Sequence, residues 1–251
     1  MEIQPIPGFT HPVSSLTHLI GAGVFALLAF PLWRRCLGCR LCQVTSAVFS
    51  FTIVLLLSMS GVYHLLATTG TAHEVLARLD HAAIFALIAG SFTPLQPLFF
   101  RSVWGRWGML ALVWTLALLG IVLKVIFFQD IPEILGLSLY LGLGWLGLGS
   151  GIALARRYGL RFIAPLLWGG LAYTLGAVAD FARWPVLIPG VVGPHEVMHV
   201  GVLIGIGCFW WFFYRHMADV VTLPAATADY AGAPRGKTTA IPQPRSTDKA
   251  Y

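Results

Sequence analysis

The sequence predicts an all-α membrane protein built as a bundle of seven transmembrane helices. Of its 251 residues, 57% are hydrophobic and only 10% are charged, whereas a soluble domain usually carries about 25% charged residues. A helix needs about 20 mainly apolar residues to cross a bilayer. Seven runs meet this requirement, and they cover residues 15–33, 44–66, 82–100, 107–128, 135–155, 162–179 and 195–214.

The breaks between these runs have local causes. Arginines follow the first run and flank the turn after the third, while Thr69 and Gly70 end the second. Pro132 opens the fifth run, and prolines fill the loop before the seventh. The chain is therefore predicted to comprise an N-terminal segment (1–13), a seven-helix domain (14–217) and a disordered tail (218–251), which has little to bury.

The formal net charge of +6 does not indicate nucleic-acid binding. The basic residues are dispersed among short loops, and no basic patch is interleaved with polar readout residues. The expected partners are membrane lipids and a lipid-like substrate or ligand, and the oligomeric state is left open.

Three of the four cysteines, Cys36, Cys39 and Cys42, lie in one short loop. Their C-x2-C-x2-C spacing is part of an iron–sulfur pattern, but the fourth cysteine and its proline are missing. We predict a cluster of reduced thiols there and assign Cys208, in the middle of the seventh run, to packing.

Five polar residues stand out in the apolar runs: Ser60, His64, Asp80, His195 and His199. An unpaired charge at hydrocarbon depth costs on the order of 2.5–3.5 kcal/mol on the insertion scale, so such residues need a function or a partner. With seven spans, the second ends, and the third and seventh begin, on the membrane side that holds the N-terminus (the N-side). These residues are therefore predicted to lie on one side of the membrane at similar depth, whichever way the protein inserts.

Three imidazoles at one depth predict an intramembrane zinc site. His195 and His199 are four residues apart and share a helix face, and His64 is the expected third ligand. Neutral imidazole suits Zn²⁺, and three protein ligands leave one position for water. Zinc lowers the pKa of such a water to about 7, which makes hydroxide available at neutral pH.

Two neighbours are candidates for catalytic roles. Asp80 could accept a proton from the water, and Ser60 could donate a hydrogen bond to a carbonyl oxygen as charge develops on it. Each residue also has a purely structural interpretation. Asp80 could cap the helix that it begins, and Ser60 could bond back to its own backbone.

H-E-V-M-H at 195–199 is also a literal H-E-x-x-H motif, in which Glu196 would be the general base of a protease. Such enzymes usually take a third ligand from downstream. The only downstream histidine, His216, would lie roughly 25 Å further along a helix, at about 1.5 Å per residue. The third ligand must therefore come from upstream, which disfavours the protease interpretation.

The order of S-x3-H, Asp80 and H-x3-H on the second, third and seventh spans resembles the hemolysin III family. That family is grouped with the progestin and adipoQ receptors and the alkaline ceramidases. The run L-D-H-A-A-I-F-A-L-I-A-G-S-F-T-P at 79–94 carries the most specific resemblance, and the stretches at 14–21 and 117–124 also fit. The resemblance covers residues 14–216.

The resemblance implies a seven-helix bundle with zinc held by His64, His195 and His199. It places Asp80 near the zinc-bound water and Ser60 beside the site, and it leaves the Glu196 position free. The ceramidase branch hydrolyses lipid amides, whereas the hemolysin name implies cell lysis or pore formation. Our leading hypothesis is a zinc-dependent hydrolase of lipid amide or ester bonds. The alternatives are a pore-forming or cytolytic protein and a receptor-like protein with structural zinc.

Loop charges predict the orientation in a bacterial-type inner membrane. The N-side carries three basic residues near the spans: Arg78, Lys124 and Arg183. The opposite side (the C-side) carries nine: Arg34, Arg35, Arg40, Arg101, Arg106, Arg156, Arg157, Arg161 and Arg215. By the positive-inside rule, the C-terminus is cytoplasmic and the N-terminus faces outward. Adiponectin receptors have the opposite orientation.

Overall fold

The computed structural model describes residues 11–66 and 70–228, with side chains described up to residue 219. The helices are α1 (Pro12–Arg35), α2 (Arg40–Leu65), α3 (Thr71–Phe99), α4 (Met109–Ile126), α5 (Glu133–Trp145), α6 (Gly147–Tyr158), α7 (Leu160–Phe181) and α8 (Pro194–Ala228). A π-helical turn, Trp104–Gly108, leads directly into α4. The described residues contain no β-strand, only an isolated bridge between Ile188 and Val192.

Seven helical segments are long and apolar enough to cross a membrane, which confirms the predicted seven-helix bundle. The fifth span consists of α5 and α6, which meet at Leu146. The seventh span is the N-terminal part of α8. This helix continues to Ala228, beyond the boundary predicted at residue 217, and the rest of the predicted tail lies outside the described residues.

The third helix begins earlier than the sequence predicts. It starts at Thr71, directly after Gly70, whose φ of 98° is a conformation that glycine adopts readily. The prediction placed the start at residue 82 because charged residues interrupt the apolar run before that position. Asp80 consequently lies well inside α3, which rules out its interpretation as a helix cap.

The centre of the bundle is α3, which contacts α2, α4, α5, α6 and α8. Its inner surface consists largely of small residues, among them Ala83, Ala86, Ala89 and Gly90. A Cβ atom at Gly90 would collide with the Thr52 side chain on α2, so this glycine permits the close approach of α2 and α3. Small residues at such contacts are typical of helix packing in membranes.

The cysteine loop differs from the prediction of reduced thiols. Cys36 and Cys42 form a disulfide, whereas Cys39 is free. The turn between α1 and α2 brings the two Cα atoms to 5.2 Å, within the usual range for a disulfide. The loop lies on the C-side, at the opposite end of the bundle from the residues discussed next.

Candidate metal centre

Three histidines converge at the N-side end of the bundle. His64 occupies the last turn of α2, and His195 and His199 lie one turn apart at the start of α8. The Nε2 atom of His195 is 3.1 Å from that of His64 and 3.1 Å from that of His199. His64 and His199 are buried, with 6% and 1% of their surface exposed. The group predicted from spacing and span parity is thus assembled in the fold.

The geometry of this cluster suits a metal ion. One ligand nitrogen from each histidine lies within 4.8 Å of the others. Two nitrogens bound to a tetrahedral zinc at about 2.0–2.1 Å would be about 3.3–3.4 Å apart, close to the two measured separations. His64, His195 and His199 can therefore hold a metal ion, and they would leave part of a tetrahedral shell to a further ligand.

Asp180, at the end of α7, contacts the ring of His195. Its Oδ1 atom is 3.2 Å from His195 Nδ1, while Nε2 of the same ring points into the cluster. Metal-binding histidines commonly donate their other N–H to a carboxylate, which fixes the tautomer and the ring orientation. The parity of the spans places Asp180 on the N-side, but no sequence motif linked it to His195, because the contact joins two different helices.

We expect Asp180→Asn to weaken metal binding without unfolding the protein. Loss of an outer partner of a metal-bound histidine typically costs about 10–100-fold in affinity. A chelator competition assay on purified protein would measure the change. Asp130→Asn, an exposed acid in the loop after α4, is the control, and equal affinities in the two variants would contradict the assigned role.

His18 on α1 supports the cluster from another direction. Its ring stacks on that of His199, with centroids 3.8 Å apart and an interplanar angle of 21°. Its Nε2 also lies 3.5 Å from the His199 carbonyl oxygen. His18 therefore contacts a potential ligand and restricts the orientation of its ring.

Asp80 and Ser60 lie next to each other in the buried interior. They are 8% and 2% exposed, and the Ser60 side chain interacts with the Asp80 carboxylate. His81 Nδ1 lies 3.8 Å from Asp80 Oδ2, although it is closer to the Ala77 carbonyl oxygen, at 2.8 Å. Asp80 also falls within electrostatic range of His195. The fold therefore brings all five predicted residues to one region.

Glu196 has structural partners for both of its carboxylate oxygens. Ser14 donates a hydrogen bond to Oε1 at 2.8 Å, and the Gly193 backbone N–H donates one to Oε2 at 2.9 Å. Since α8 begins at Pro194, Glu196 is its third residue and caps the helix in the manner of a capping box. This role accounts for the glutamate inside H-E-V-M-H without a proteolytic function.

His216 lies away from the cluster, as the helix length predicts. Its ring packs against Phe162 and Phe212, near the C-side end of α8. It is therefore not part of the histidine cluster, whose third member is His64 on α2.

Comparison with known proteins decides the family. The family model described as "Haemolysin-III related" matches residues 9–210. The chain belongs to the hemolysin III family. It is 30% identical over 194 residues to Hemolysin-3 of Bacillus cereus, which covers 76% of this chain and 84% of that protein. It is 31% identical over 196 residues to the Hemolysin-3 homolog of Bacillus subtilis (strain 168), with coverages of 76% and 87%.

Membership in the hemolysin III family agrees with the resemblance found in the sequence. The matched region contains the three histidines, Ser60, Asp80 and Asp180. It ends before His216, at residue 210. Every residue that builds the potential metal centre of this hemolysin III family member therefore lies within the part of the chain that defines the family.

Proposed function

We propose that this hemolysin III family member is a zinc-dependent hydrolase of lipid amide or ester bonds. The observation that carries the proposal is the position of the Asp80–Ser60 pair beside three histidines whose Nε2 atoms face one another. A buried carboxylate and hydroxyl next to a potential metal site with room for another ligand form the group that acyl-transfer chemistry requires.

The residues have separate roles in this proposal. His64, His195 and His199 would hold zinc, and zinc supplies a Lewis acid that polarises a carbonyl and lowers the pKa of water. Asp80 accepts the proton that the attacking water loses and returns it to the leaving group. Ser60 donates its single O–H to the Asp80 carboxylate and orients it. Once Asp80 has taken up the proton, this O–H is released and donates instead to the substrate oxygen on which negative charge develops.

The surroundings of the site favour a lipid substrate. The site lies at the N-side ends of membrane-spanning helices, where lipid carbonyl groups meet the polar headgroups. The outward faces of the spans expose large apolar side chains, for example Leu167, Trp168 and Leu175 on α7. A lipid can therefore approach the site from within the membrane.

The test is lipid turnover by purified, zinc-loaded protein in liposomes that contain both amide-linked and ester-linked lipids. We expect release of a fatty acid that stops when a chelator removes the metal. Glu196→Gln should retain turnover, because glutamine can still accept the hydrogen bond that caps α8. Absence of turnover from every amide and ester lipid would exclude the hydrolase, and loss of activity in Glu196→Gln would favour the protease interpretation.

We further propose that the metal centre faces outward and that the C-terminus is cytoplasmic, on the basis of the loop charges. Asp130→Cys on the N-side and Ser102→Cys on the C-side, each with Cys39 replaced, provide reporters in exposed loops. In intact cells a membrane-impermeant maleimide should label the first and not the second. The reverse pattern would place the metal centre on the cytoplasmic side.

A pore-forming function is the second candidate, because two relatives carry the name hemolysin. In that case a metal would only join α2 to α8, and dye leakage from liposomes would not depend on Asp80. Leakage without lipid turnover, unchanged in Asp80→Asn, would favour this function over hydrolysis.

A further inference from the structure

A polar cavity lies beside the metal centre at the N-side surface. It has a volume of about 150 Å³ and is lined by Tyr63, His73, Glu74, Arg78, Phe128 and Gln129. A cavity of this volume can hold a ligand the size of benzene, and a phosphate group is no larger. None of these residues takes part in the chemistry proposed above.

The cavity is close to the reacting groups. The Tyr63 ring lies 4.7 Å from the ring of His64 and 4.7 Å from that of His73. Ala77, which also lines the cavity, precedes Asp80 by three residues and shares its face of α3. A group bound in the cavity would therefore lie close to a substrate positioned at Asp80.

Two cations flank Phe128, which forms one wall of the cavity. The Arg78 guanidinium lies 6.0 Å and the Lys124 ammonium 5.5 Å from the centroid of its ring. Lys124 is only 6% exposed. Its Nζ atom packs against Gly136 on α5. A Cβ atom added to this glycine would lie only 2.9 Å from Nζ.

Both cations lack an acidic partner. Within the described part of the chain, no Asp or Glu forms an ion pair with Arg78 or Lys124. Arg78 donates one N–H to the Val125 carbonyl oxygen, at 2.6 Å, which leaves other donors of its guanidinium for a ligand. Glu74 lines the cavity without pairing with Arg78, and its side chain is exposed to solvent.

The third basic residue of the N-side provides a contrast. Arg183 donates two hydrogen bonds to Glu133, at 2.9 and 3.0 Å, and is exposed. Among the Arg and Lys residues of the N-side that the structure describes, only Arg78 and Lys124 are unpaired. Both lie next to the Phe128 ring beside the cavity. Cations without an acidic partner near a membrane surface attract anions, and phosphate is the anion that lipid headgroups supply.

We infer that this cavity binds the phosphate of a lipid headgroup through Arg78, which lines it, while the nearby Lys124, which does not line it, adds a second positive charge. The inference names the substrate class, a phosphate-bearing lipid in place of a neutral one, and in this respect it rests on the proposed function. Arginine suits phosphate because its planar fork can donate two parallel hydrogen bonds. The headgroup would then occupy the cavity, and the carbonyl group of the same lipid would lie at the neighbouring metal centre.

The experiment measures binding and does not depend on turnover. Delipidated protein in detergent is incubated with phosphatidylglycerol or with diacylglycerol of the same chains, and bound lipid is counted by native mass spectrometry. We expect wild type to prefer phosphatidylglycerol and Arg78→Gln to lose about tenfold in its retention, the scale of one charge-assisted hydrogen bond. Lys124→Gln should cause a smaller loss, because it removes a nearby charge and no direct hydrogen bond. Lys124→Arg should retain binding.

The matched control is Arg183→Gln, which removes the same charge from the same side but from a paired, exposed arginine. We expect its retention of phosphatidylglycerol to equal that of wild type. An equal loss in this control, or equal retention of both lipids by wild type, would overturn the inference. Displacement of the lipid by an equal concentration of inorganic phosphate would assign the cavity to free phosphate and also overturn it.

The outcomes separate this inference from the proposed function. If no lipid is ever hydrolysed but phosphatidylglycerol retention depends on Arg78 and Lys124, the hydrolase proposal fails and the headgroup site stands. If lipid is hydrolysed but retention is the same in all variants, the hydrolase stands and the headgroup site fails. Metal content of each variant, measured in parallel, shows whether the neighbouring cluster remains intact.

Discussion

Asp80→Asn is expected to abolish lipid turnover while leaving the metal content of the protein unchanged. Asparagine has nearly the shape of aspartate but cannot accept a proton at neutral pH, so the exchange removes general acid–base chemistry and preserves packing. Such chemistry typically contributes about 10²–10⁴-fold to a rate. Fatty acid release from liposomes, measured together with bound zinc, would record the loss.

The control for this prediction is Asp130→Asn, which makes the same chemical change in an exposed loop. It should leave turnover intact. Ser60→Ala should cause an intermediate loss, because Asp80 keeps its proton-accepting atom but loses a neighbour that orients it. If the Asp80→Asn variant lost its metal together with its activity, the Asp80 carboxylate would be required for the metal site itself and would have no separate role in catalysis.

His64→Ala is expected to release the metal almost completely. His64 is the only ligand in the cluster that comes from α2, and its removal leaves two nitrogens on one helix face. The loss of affinity should exceed the roughly 10–100-fold that removal of an outer partner causes. Metal analysis of purified protein after dialysis against a weak chelator would measure it.

His216→Ala is the matched control, because this histidine packs against Phe162 and Phe212 at the other end of α8. It should retain the metal content of wild type. Full metal occupancy in His64→Ala, with normal thermal stability in detergent, would contradict the three-histidine assignment. The combination of His64→Ala with His199→Ala should bind no more metal than either single variant.

The sequence was sufficient to predict the seven spans and the meeting of the three histidines. Both follow from rules that act along the chain: a length of apolar residues fixes a span, and the number of spans fixes the side on which each end lies. The spacing of His195 and His199 places both on one face of a helix. The number of spans places His64 on the same side of the membrane, at a similar depth.

What the sequence did not reveal depends on contacts between helices. The Asp180–His195 contact and the stacking of His18 on His199 each require the rotation of one helix relative to another, which hydrophobicity does not determine. The start of α3 was missed because Glu74, Arg78 and Asp80 reduce its hydropathy while the helix continues. The Cys36–Cys42 disulfide depends on the conformation of a turn, which the cysteine spacing did not specify.

The separation of the ligands along the chain bears on how the protein is made. His64 and His195 are 131 residues apart, so the second and the last membrane spans must both be in place before the site exists. During synthesis the spans enter the membrane in order, so the earlier helices are inserted before α8, which carries His195 and His199. A metal that binds only the assembled site stabilises it. Such a metal would therefore bind after insertion ends and would link the last helix to the first half of the bundle.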